Sequence, residues 1–279
     1  GTFTYLGQPF NYTTAPVITV TAQNFANATT QNYAGANLWR LTNASLTYPA
    51  GNKGYAAAVG TVDTGLVPAI DPVIAQTAPG IGTLSFSSGT GIAFQRGAPV
   101  AQFDADISLR INIIDADAVT FASNPANFGI ATAGNGIAFN NTKLVRYGRL
   151  RMSNAYGSNL LPLPVPLVAE FATSANSFAL NTLDSCTTVP VPVAGSGLTY
   201  TGTGTTAATL NNPFINGNGG LFLSAPGNGN SGFADIVINS PAWLDFSWTS
   251  PAPAQQDPRA RATFTQYKKA GQFIYMREN

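Results

Sequence analysis

The sequence predicts an all-β protein, built from β-sandwiches of the immunoglobulin-like or jelly-roll type with very little helix. The chain holds 28 Gly and 19 Pro, whereas Lys and Glu, which cover the surfaces of most helices, together number six. Several segments also alternate between apolar and polar residues with a period of two, which is the spacing of a half-buried strand. No segment carries the pattern of a three-turn helix. We therefore expect less than about a tenth of the chain to be helical, against the usual third.

The clearest strand lies at residues 105–115, "ADISLRINIID". Every second position there is apolar, at Ile107, Leu109, Ile111 and Ile113. Residues 17–23, "VITVTAQ", alternate in the same way, and "WLDFSW" at 243–248 places Leu244, Phe246 and Trp248 on one face. Residues 196–220 are low in complexity and predict a polar strand with long loops. Near the end, the pattern predicts a hairpin: Phe264 to Tyr267, a turn at Lys268–Gly271, and Phe273 to Arg277.

Residues 146–171 carry three arginines in six positions and then prolines at every second position: Pro162, Pro164 and Pro166. Because proline cannot donate to a ladder, we expect a strand at a sheet edge. Its core-facing residues would be Leu161, Leu163, Val165 and Leu167. The segment predicts two strands, Val145 to Met152 and Leu160 to Phe171, joined by a turn at residues 154–157.

Composition limits the function classes. Charged residues make up 9% of the chain, well below the usual quarter, and the net charge is +1. A net charge of +1 gives too weak an electrostatic field to attract nucleic acid. No apolar run reaches the ~20 residues that a membrane helix needs. This profile favours a secreted surface protein over a cytosolic enzyme. Because the sequence begins at Gly1 without Met, we expect a processed chain or a fragment.

The chain has no His, so catalysis by Ser-His-Asp or Cys-His and His-ligated metal sites are excluded. No carboxylate pair or Ser-Lys spacing marks an active site either, and we predict a non-enzymatic protein without an organic cofactor. The one cysteine, Cys186, has no intrachain partner, and we expect a buried or half-buried thiol, the alternative being a partner for a cysteine elsewhere. Two domains are predicted, 1–95 and 96–279, unless the two parts form one continuous domain.

Four aspartates are candidates for calcium ligands: Asp104, Asp106, Asp115 and Asp117. The two pairs bracket the strand at 107–113 and would lie ~25 Å apart at about 3.3 Å per residue, so they cannot form one site. Each pair could contribute to a separate site. The alternative is that they are solvated turn carboxylates or ion-pair partners of Arg149 and Arg151.

The candidate ligand-binding residues are Arg149, Arg151 and Tyr156. The two arginines lie two positions apart and so share a strand face, where Asp104, Asp106 or another carboxylate nearby could pair with them. If that pair is exposed, Arg149→Ala should cost ~1 kcal/mol or less. Aromatic residues in loop-like sequence could stack on a glycan: Trp39, Tyr48, Tyr55, Tyr156 and Tyr200. Trp243 and Trp248 flank a strand and are expected in the core.

Several stretches carry a family resemblance. They are "FTYLGQPF" (3–10), "YGRLRMSNAYGSNLLPLPVPLVAEF" (147–171), "NTLDSCTT" (181–188), "LSAPGNGNSG" (223–232), "WLDFSW" (243–248) and "DPRARATFTQYKKAGQFIYMRE" (257–278). Together they resemble the C-terminal domain of unknown function of MshQ-type proteins, which are linked to mannose-sensitive haemagglutinin type IV pili. Residues 17–35 resemble bacterial immunoglobulin-like modules. At 115–118 the chain has Asp-Ala-Asp-Ala in place of an acidic D-x-D-G turn, so the resemblance does not carry a calcium role there.

The resemblance implies an extracellular or bacterial cell-surface location and surface or pilus proteins as partners, with no reaction. One hypothesis is therefore a secreted adhesion module that presents loops to a glycan or another cell. The other is a structural subunit of an extracellular fibre or sheath. In that case, the strand at Phe3–Phe10 or the strand at Phe273–Arg277 would complete the sheet of a neighbouring copy.

Overall fold

The computed structural model describes residues 3–49, 51–67, 72–86, 91–132, 134–138, 144–248 and 255–266. These residues form small sheets of two to five strands. Helix amounts to 5%, in one four-residue α-helix, α1 (Gly35–Leu38), and 3-10 turns at Asn43–Ser45, Asn52–Gly54 and Ala242–Leu244. The predicted all-β class with very little helix is confirmed, whereas the immunoglobulin-like or jelly-roll topology stays a prediction. None of the helices described is long and apolar enough to span a membrane.

The chain divides into two compact units, Gly1–Tyr147 and Gly148–Asn279. The boundary predicted near residue 95 therefore lies inside the first unit. The reason is strand pairing, because the long strand at 107–113 pairs with strands at Leu46–Thr47 and Tyr55–Ala57. Residues on both sides of position 95 thus share one sheet.

The first unit contains twelve described strands. They are β1 (Thr4–Tyr5), β2 (Val17–Thr21), β3 (Leu46–Thr47), β4 (Tyr55–Ala57), β5 (Val62–Asp63), β6 (Val73–Ala78), β7 (Ile81–Ser85), β8 (Ala93–Phe94), β9 (Phe103–Asp104), β10 (Ile107–Ile113), β11 (Ala126–Phe128) and β12 (Leu144–Arg146). Strand β10 is the centre of the core, and its four alternate apolar side chains are at most 1% exposed. That strand prediction is confirmed. Other sheets follow the orders β1-β12-β9, β2-β7-β6 and β5-β8.

The second unit contains eleven described strands. They are β13 (Gly148–Met152), β14 (Ala155–Ser158), β15 (Leu163–Val165), β16 (Leu167–Ala172), β17 (Phe178–Leu180), β18 (Val193–Ala194), β19 (Gly197–Gly202), β20 (Ala208–Thr209), β21 (Leu221–Leu223), β22 (Gly232–Val237) and β23 (Arg259–Thr265). Its sheets have the orders β13-β16-β17, β14-β23-β22-β19-β18 and β15-β21-β20. The last of these places β15 at a sheet edge, as the prolines predicted.

Several details of the prediction for 146–171 are wrong. The predicted strand from Val145 to Met152 is divided between β12 and β13, and that from Leu160 to Phe171 between β15 and β16, of which β16 is the middle strand of its sheet. Residues 155–158 form strand β14, parallel to β23, in place of a turn. Gly157 allows a close approach to Leu163, whose Cδ1 would lie 2.7 Å from an added Cβ, so this glycine serves packing. Leu161 is 65% exposed because it precedes β15, whereas Leu163, Val165 and Leu167 are buried as predicted.

Two further strand predictions have different outcomes. In "WLDFSW", a 3-10 turn at Ala242–Leu244 and an isolated bridge from Phe246 to Gln256 replace the predicted strand, although Leu244 is buried. The C-terminal hairpin begins in β23, but residues 267–279, with its turn and second strand, lie outside the described residues.

Candidate functional site

The five-stranded sheet of the second unit has one buried face and one exposed face. In β22 and β23, Ala234, Ile236, Ala260, Ala262 and Phe264 are buried. Because side chains alternate along a strand, their neighbours point to the opposite face. We call the outward side chains of this sheet the ligand face: Tyr156, Thr199, Thr201, Phe233, Asp235, Arg261 and Thr263.

One row across the ligand face combines aromatic rings with hydroxyl groups. Tyr156 lies opposite Thr263, Thr263 opposite Phe233, and Phe233 opposite Thr201. The two rings are two strands apart, which corresponds to roughly 9.5 Å. Tyr156 is 74% exposed. Tyr156 and Phe233 lie in one row, and a contiguous exposed patch with aromatic rings is the kind of surface that binds a ligand.

The next row holds an ion pair. The Nε and Nη2 atoms of Arg261 donate to the two carboxylate oxygens of Asp235, at 2.7 and 2.9 Å. The guanidinium also lies 4.0 Å from the centroid of the Phe233 ring. The hydrogen bonds from Arg261 hold the pKa of Asp235 below its ordinary value, and the same contact raises the pKa of Arg261. The charges in the middle of the face therefore cancel, and Arg261 is fixed against the ring.

Two shallow depressions adjoin this ion pair. One, of about 370 Å³, is lined by the loop at Pro190–Pro192 together with Thr199 and Asp235. The other, of about 450 Å³, is lined by Asn154, Asp235 and Arg261. Both volumes fall in the range of small-ligand sites. The ligand face therefore offers ring faces for stacking, hydroxyl groups for hydrogen bonds, and hollows next to a neutralised charge pair.

The two other candidate ligand residues lie in a different sheet. Arg149 faces Glu170 directly across the β13–β16 ladder, and its Nη2 atom is 2.7 Å from a Glu170 oxygen. Arg151 lies on the same face, with its Nε atom 2.7 Å from the other oxygen. Of the partners considered, Asp104 and Asp106 are therefore wrong, and another carboxylate takes their place. Glu170 is the partner because antiparallel pairing places it opposite the arginines.

Arg149 is enclosed by aromatic rings. Its guanidinium carbon lies 3.5 Å from the ring centroid of Phe178, 4.8 Å from that of Phe246 and 5.0 Å from that of Trp248. The side chains of Arg149 and Glu170 are 16% and 10% exposed, while that of Arg151 is 40% exposed. The Arg149–Glu170 pair is therefore largely enclosed by protein and presents little surface to a ligand. Of the three ligand candidates, Tyr156 alone lies on the ligand face.

The calcium candidates lie at the two ends of β10, as expected. Both Asp115 oxygens accept hydrogen bonds: Oδ1 from the backbone of Asp117 and Val119, and Oδ2 from the Tyr33 hydroxyl. Asp117 pairs with Arg40 at 3.4 Å. Asp106 is buried and accepts the Gly134 N–H, while Asp104 is exposed. In the described parts of the chain, no three His, Cys, Asp or Glu side chains group closely enough to hold a metal ion.

The remaining aromatic candidates contribute mainly to packing. Tyr55 is buried and its hydroxyl bonds that of Tyr12. Trp39 packs edge-on against Tyr33 and lies close over Gly82 of β7. Tyr48 and Tyr200 are half-buried. Trp243, expected in the core, is half-buried, and Trp248 is 38% exposed.

Cys186 is exposed, so the prediction of a buried or half-buried thiol is wrong. Its backbone N–H and its thiol both point to a carboxylate oxygen of Asp184. Partial burial of the sulfur raises the pKa of the thiol, and the negative charge of the neighbouring Asp184 raises it further.

Sequence reasoning missed Phe233, Arg261 and Thr263 as members of the ligand face. The alternation in "GFADIV" and "RARATFT" is a usable signal, since small and apolar residues take every second position there. It identifies the outward residues of each strand, but it does not say which strands are neighbours.

Comparison with known proteins agrees with the division into two units. Residues 1–137 match the third domain of DUF6701, and residues 146–279 match its fourth domain. No curated protein and no solved structure matches the chain. The two matches together cover nearly all of the sequence, and the chain therefore belongs to the DUF6701 family, whose third and fourth domains it carries.

Proposed function

We propose that this chain is a non-enzymatic module of a secreted cell-surface protein, and that its ligand face binds a neutral glycan chain. The observation that carries the proposal is the row formed by Tyr156, Thr263, Phe233 and Thr201, with its 74% exposed tyrosine at one end. A sugar ring has an apolar face and a rim of hydroxyl groups. Tyrosine and threonine side chains can stack on the first and hydrogen-bond the second.

The charge distribution supports a neutral ligand over a polyanion. Arg261 is paired by both carboxylate oxygens of Asp235, so its charge is not available to a phosphate or sulfate without breaking that pair. The whole chain has a net charge of +1. Binding to a nucleic acid would need more unpaired basic residues on one surface.

The cell-surface part of the proposal rests on sequence. Low charge, the absence of His and the resemblance to MshQ-type proteins favour a secreted, non-enzymatic protein associated with type IV pili or with adhesion. In that setting the second unit would hold the protein to a glycan on another cell or surface.

A glycan array probed with the intact chain tests this function, followed by titration calorimetry on the best neutral oligosaccharide. We expect Tyr156→Ala to weaken binding by up to about tenfold, because an aromatic contact contributes roughly 0.5–1.5 kcal/mol. Tyr156→Phe, which keeps the ring, should retain most of the affinity. Phe25→Ala is the matched control, since Phe25 is a fully exposed ring in the first unit. No binding to any glycan, or equal losses from Tyr156→Ala and Phe25→Ala, would exclude the ligand face as the site.

A further inference from the structure

Strand β2 in the first unit is an edge strand that offers unused backbone hydrogen bonds. Among the residues that the structure describes, it pairs with β7 alone, in the sheet order β2-β7-β6. The Ala22 N–H donates to the Gly80 carbonyl at 2.8 Å. In an antiparallel pair, the backbone groups of successive residues point alternately towards and away from the partner strand. The N–H and C=O groups of Thr19 and Thr21 therefore point away from β7. None of these four backbone groups has a hydrogen-bond partner among the described residues.

This edge borders a groove of about 570 Å³. One wall is β2 itself, and the opposite wall is the segment at 119–122. The floor is apolar, with Val20, Leu41 and Ile113 all less than 9% exposed. A groove with backbone groups along one wall and an apolar floor fits an extended peptide, which can pair with an edge strand and bury alternate side chains.

The opposite wall is held in place by internal hydrogen bonds. The Val119 N–H donates to Asp115 Oδ1, and the Phe121 N–H donates to the Ile113 carbonyl. At one end, the Tyr33 hydroxyl donates to Asp115 Oδ2 at 2.8 Å. Because these bonds fix the wall relative to β10, the groove is preformed. Binding of a strand would therefore cost little free energy for rearranging the groove.

We propose that this groove receives residues 272–277 of a second copy of the chain, "QFIYMR", as an added β-strand. The segment lies outside the described residues, and its Phe, Ile and Tyr are among the residues that most favour strands. The Asp115 carboxylate lines the groove, whereas Asp117 beside it is paired with Arg40. Two lysines precede the segment and Arg277 ends it, so its flanking charges are opposite to that of Asp115.

The other candidate donor, residues 3–10, is already in use within its own unit. Strand β1 pairs with β12, and Phe3, Tyr5 and Phe10 are buried. It cannot complete a neighbour's sheet without unfolding part of the first unit.

Such pairing joins different surfaces of the two copies, so it is head-to-tail and can continue into a filament. It would make the chain a subunit of a fibre or sheath that assembles by strand addition. This assembly does not depend on glycan binding, because the ligand face lies in the second unit and the groove in the first.

Self-association of the intact chain, measured by analytical ultracentrifugation and native mass spectrometry, tests the proposal. Thr19→Pro removes an outward N–H without breaking a bond to β7, and we expect it to weaken association by at least about tenfold. Thr19→Val keeps the N–H and serves as the matched control, with association unchanged. Ile274→Pro alters the donor segment and leaves the groove intact, so it should also yield monomers.

Mixing the two monomeric variants gives the sharpest result. Thr19→Pro keeps an intact donor and Ile274→Pro keeps an intact groove, so a mixture should form a 1:1 heterodimer that grows no further. A parent chain that stays monomeric at millimolar concentration would overturn the proposal. So would a folded Thr19→Pro variant that assembles like the parent, an Ile274→Pro variant that still assembles, or a mixture without heterodimer.

Discussion

Replacing Arg149 by Ala should destabilise the second unit by about 3 kcal/mol, well above the ~1 kcal/mol expected for an exposed arginine. The Arg149 side chain is 16% exposed, bonds Glu170 at 2.7 Å and lies 3.5 Å from the centre of the Phe178 ring. Breaking a buried ion pair costs about 3–5 kcal/mol. We place the value near the lower end because Arg151 continues to compensate Glu170.

Urea unfolding followed by tryptophan fluorescence measures this loss, since Trp248 contacts the Arg149 guanidinium. Arg151→Ala is the matched control on the same carboxylate, and its 40% exposed side chain predicts a cost of about 1 kcal/mol or less. Arg149→Met keeps most of the volume against the rings and should recover part of the loss. The reasoning is refuted if Arg149→Ala and Arg151→Ala shift the transition equally.

Three further predictions concern single sites. Leu163→Ala should lower the free energy of unfolding in urea by about 2–5 kcal/mol, because Leu163 is 5% exposed. Leu161→Ala, at a 65% exposed site, should lower it by less than about 0.5 kcal/mol. Equal losses would contradict the packing of β15. Burial, with the hydrogen bond to Asp115 adding to it, raises the pKa of Tyr33 from 10.0 to about 12. The folded chain therefore keeps a proton that the unfolded chain releases, so this contribution to stability is full below pH 10 and is lost as the pH rises towards 12. Tyr33→Phe should make the decline of the melting temperature in that range less steep, and an unchanged decline would argue against the contact. Alkylation of Cys186 should reach its half-maximal rate at a higher pH than that of a small free thiol, because its pKa is raised; a profile equal to that of the free thiol would show that Asp184 and burial have no effect.

Local patterns were sufficient to predict several elements. The alternation at 107–113 identified β10 because four apolar side chains at every second position have only one way to be buried together. The alternating prolines at 162–166 identified an edge strand because a missing N–H is a property of each residue alone. Both signals are contained within fewer than ten residues.

Contacts between distant strands were not predictable in this way. Glu170 pairs with Arg149 and Arg151 only because β16 runs antiparallel to β13 in one register. The prediction of a turn at residues 154–157 was wrong for a related reason, because contacts with distant residues hold this segment in a strand. Gly157 faces Leu163, and the Asn154 side chain accepts the Arg261 N–H from a strand 107 residues away.

The same limit applies to the candidate site. Tyr156 was recognised as a ligand candidate from its loop-like surroundings. Its neighbours on the ligand face, Thr201, Phe233 and Thr263, come from three other strands far away in sequence. Only the strand order brings the four residues into one row, and no single segment indicates that order.

The most direct test of the proposed function is an NMR titration of the isotope-labelled chain with the best neutral oligosaccharide from the array. The account predicts that chemical-shift changes cluster at Tyr156, Thr201, Phe233 and Thr263, with smaller changes at Asp235 and Arg261 and none at Arg149. Changes that cluster in the first unit or around Arg149, or a spectrum that does not change at saturating sugar, would contradict it.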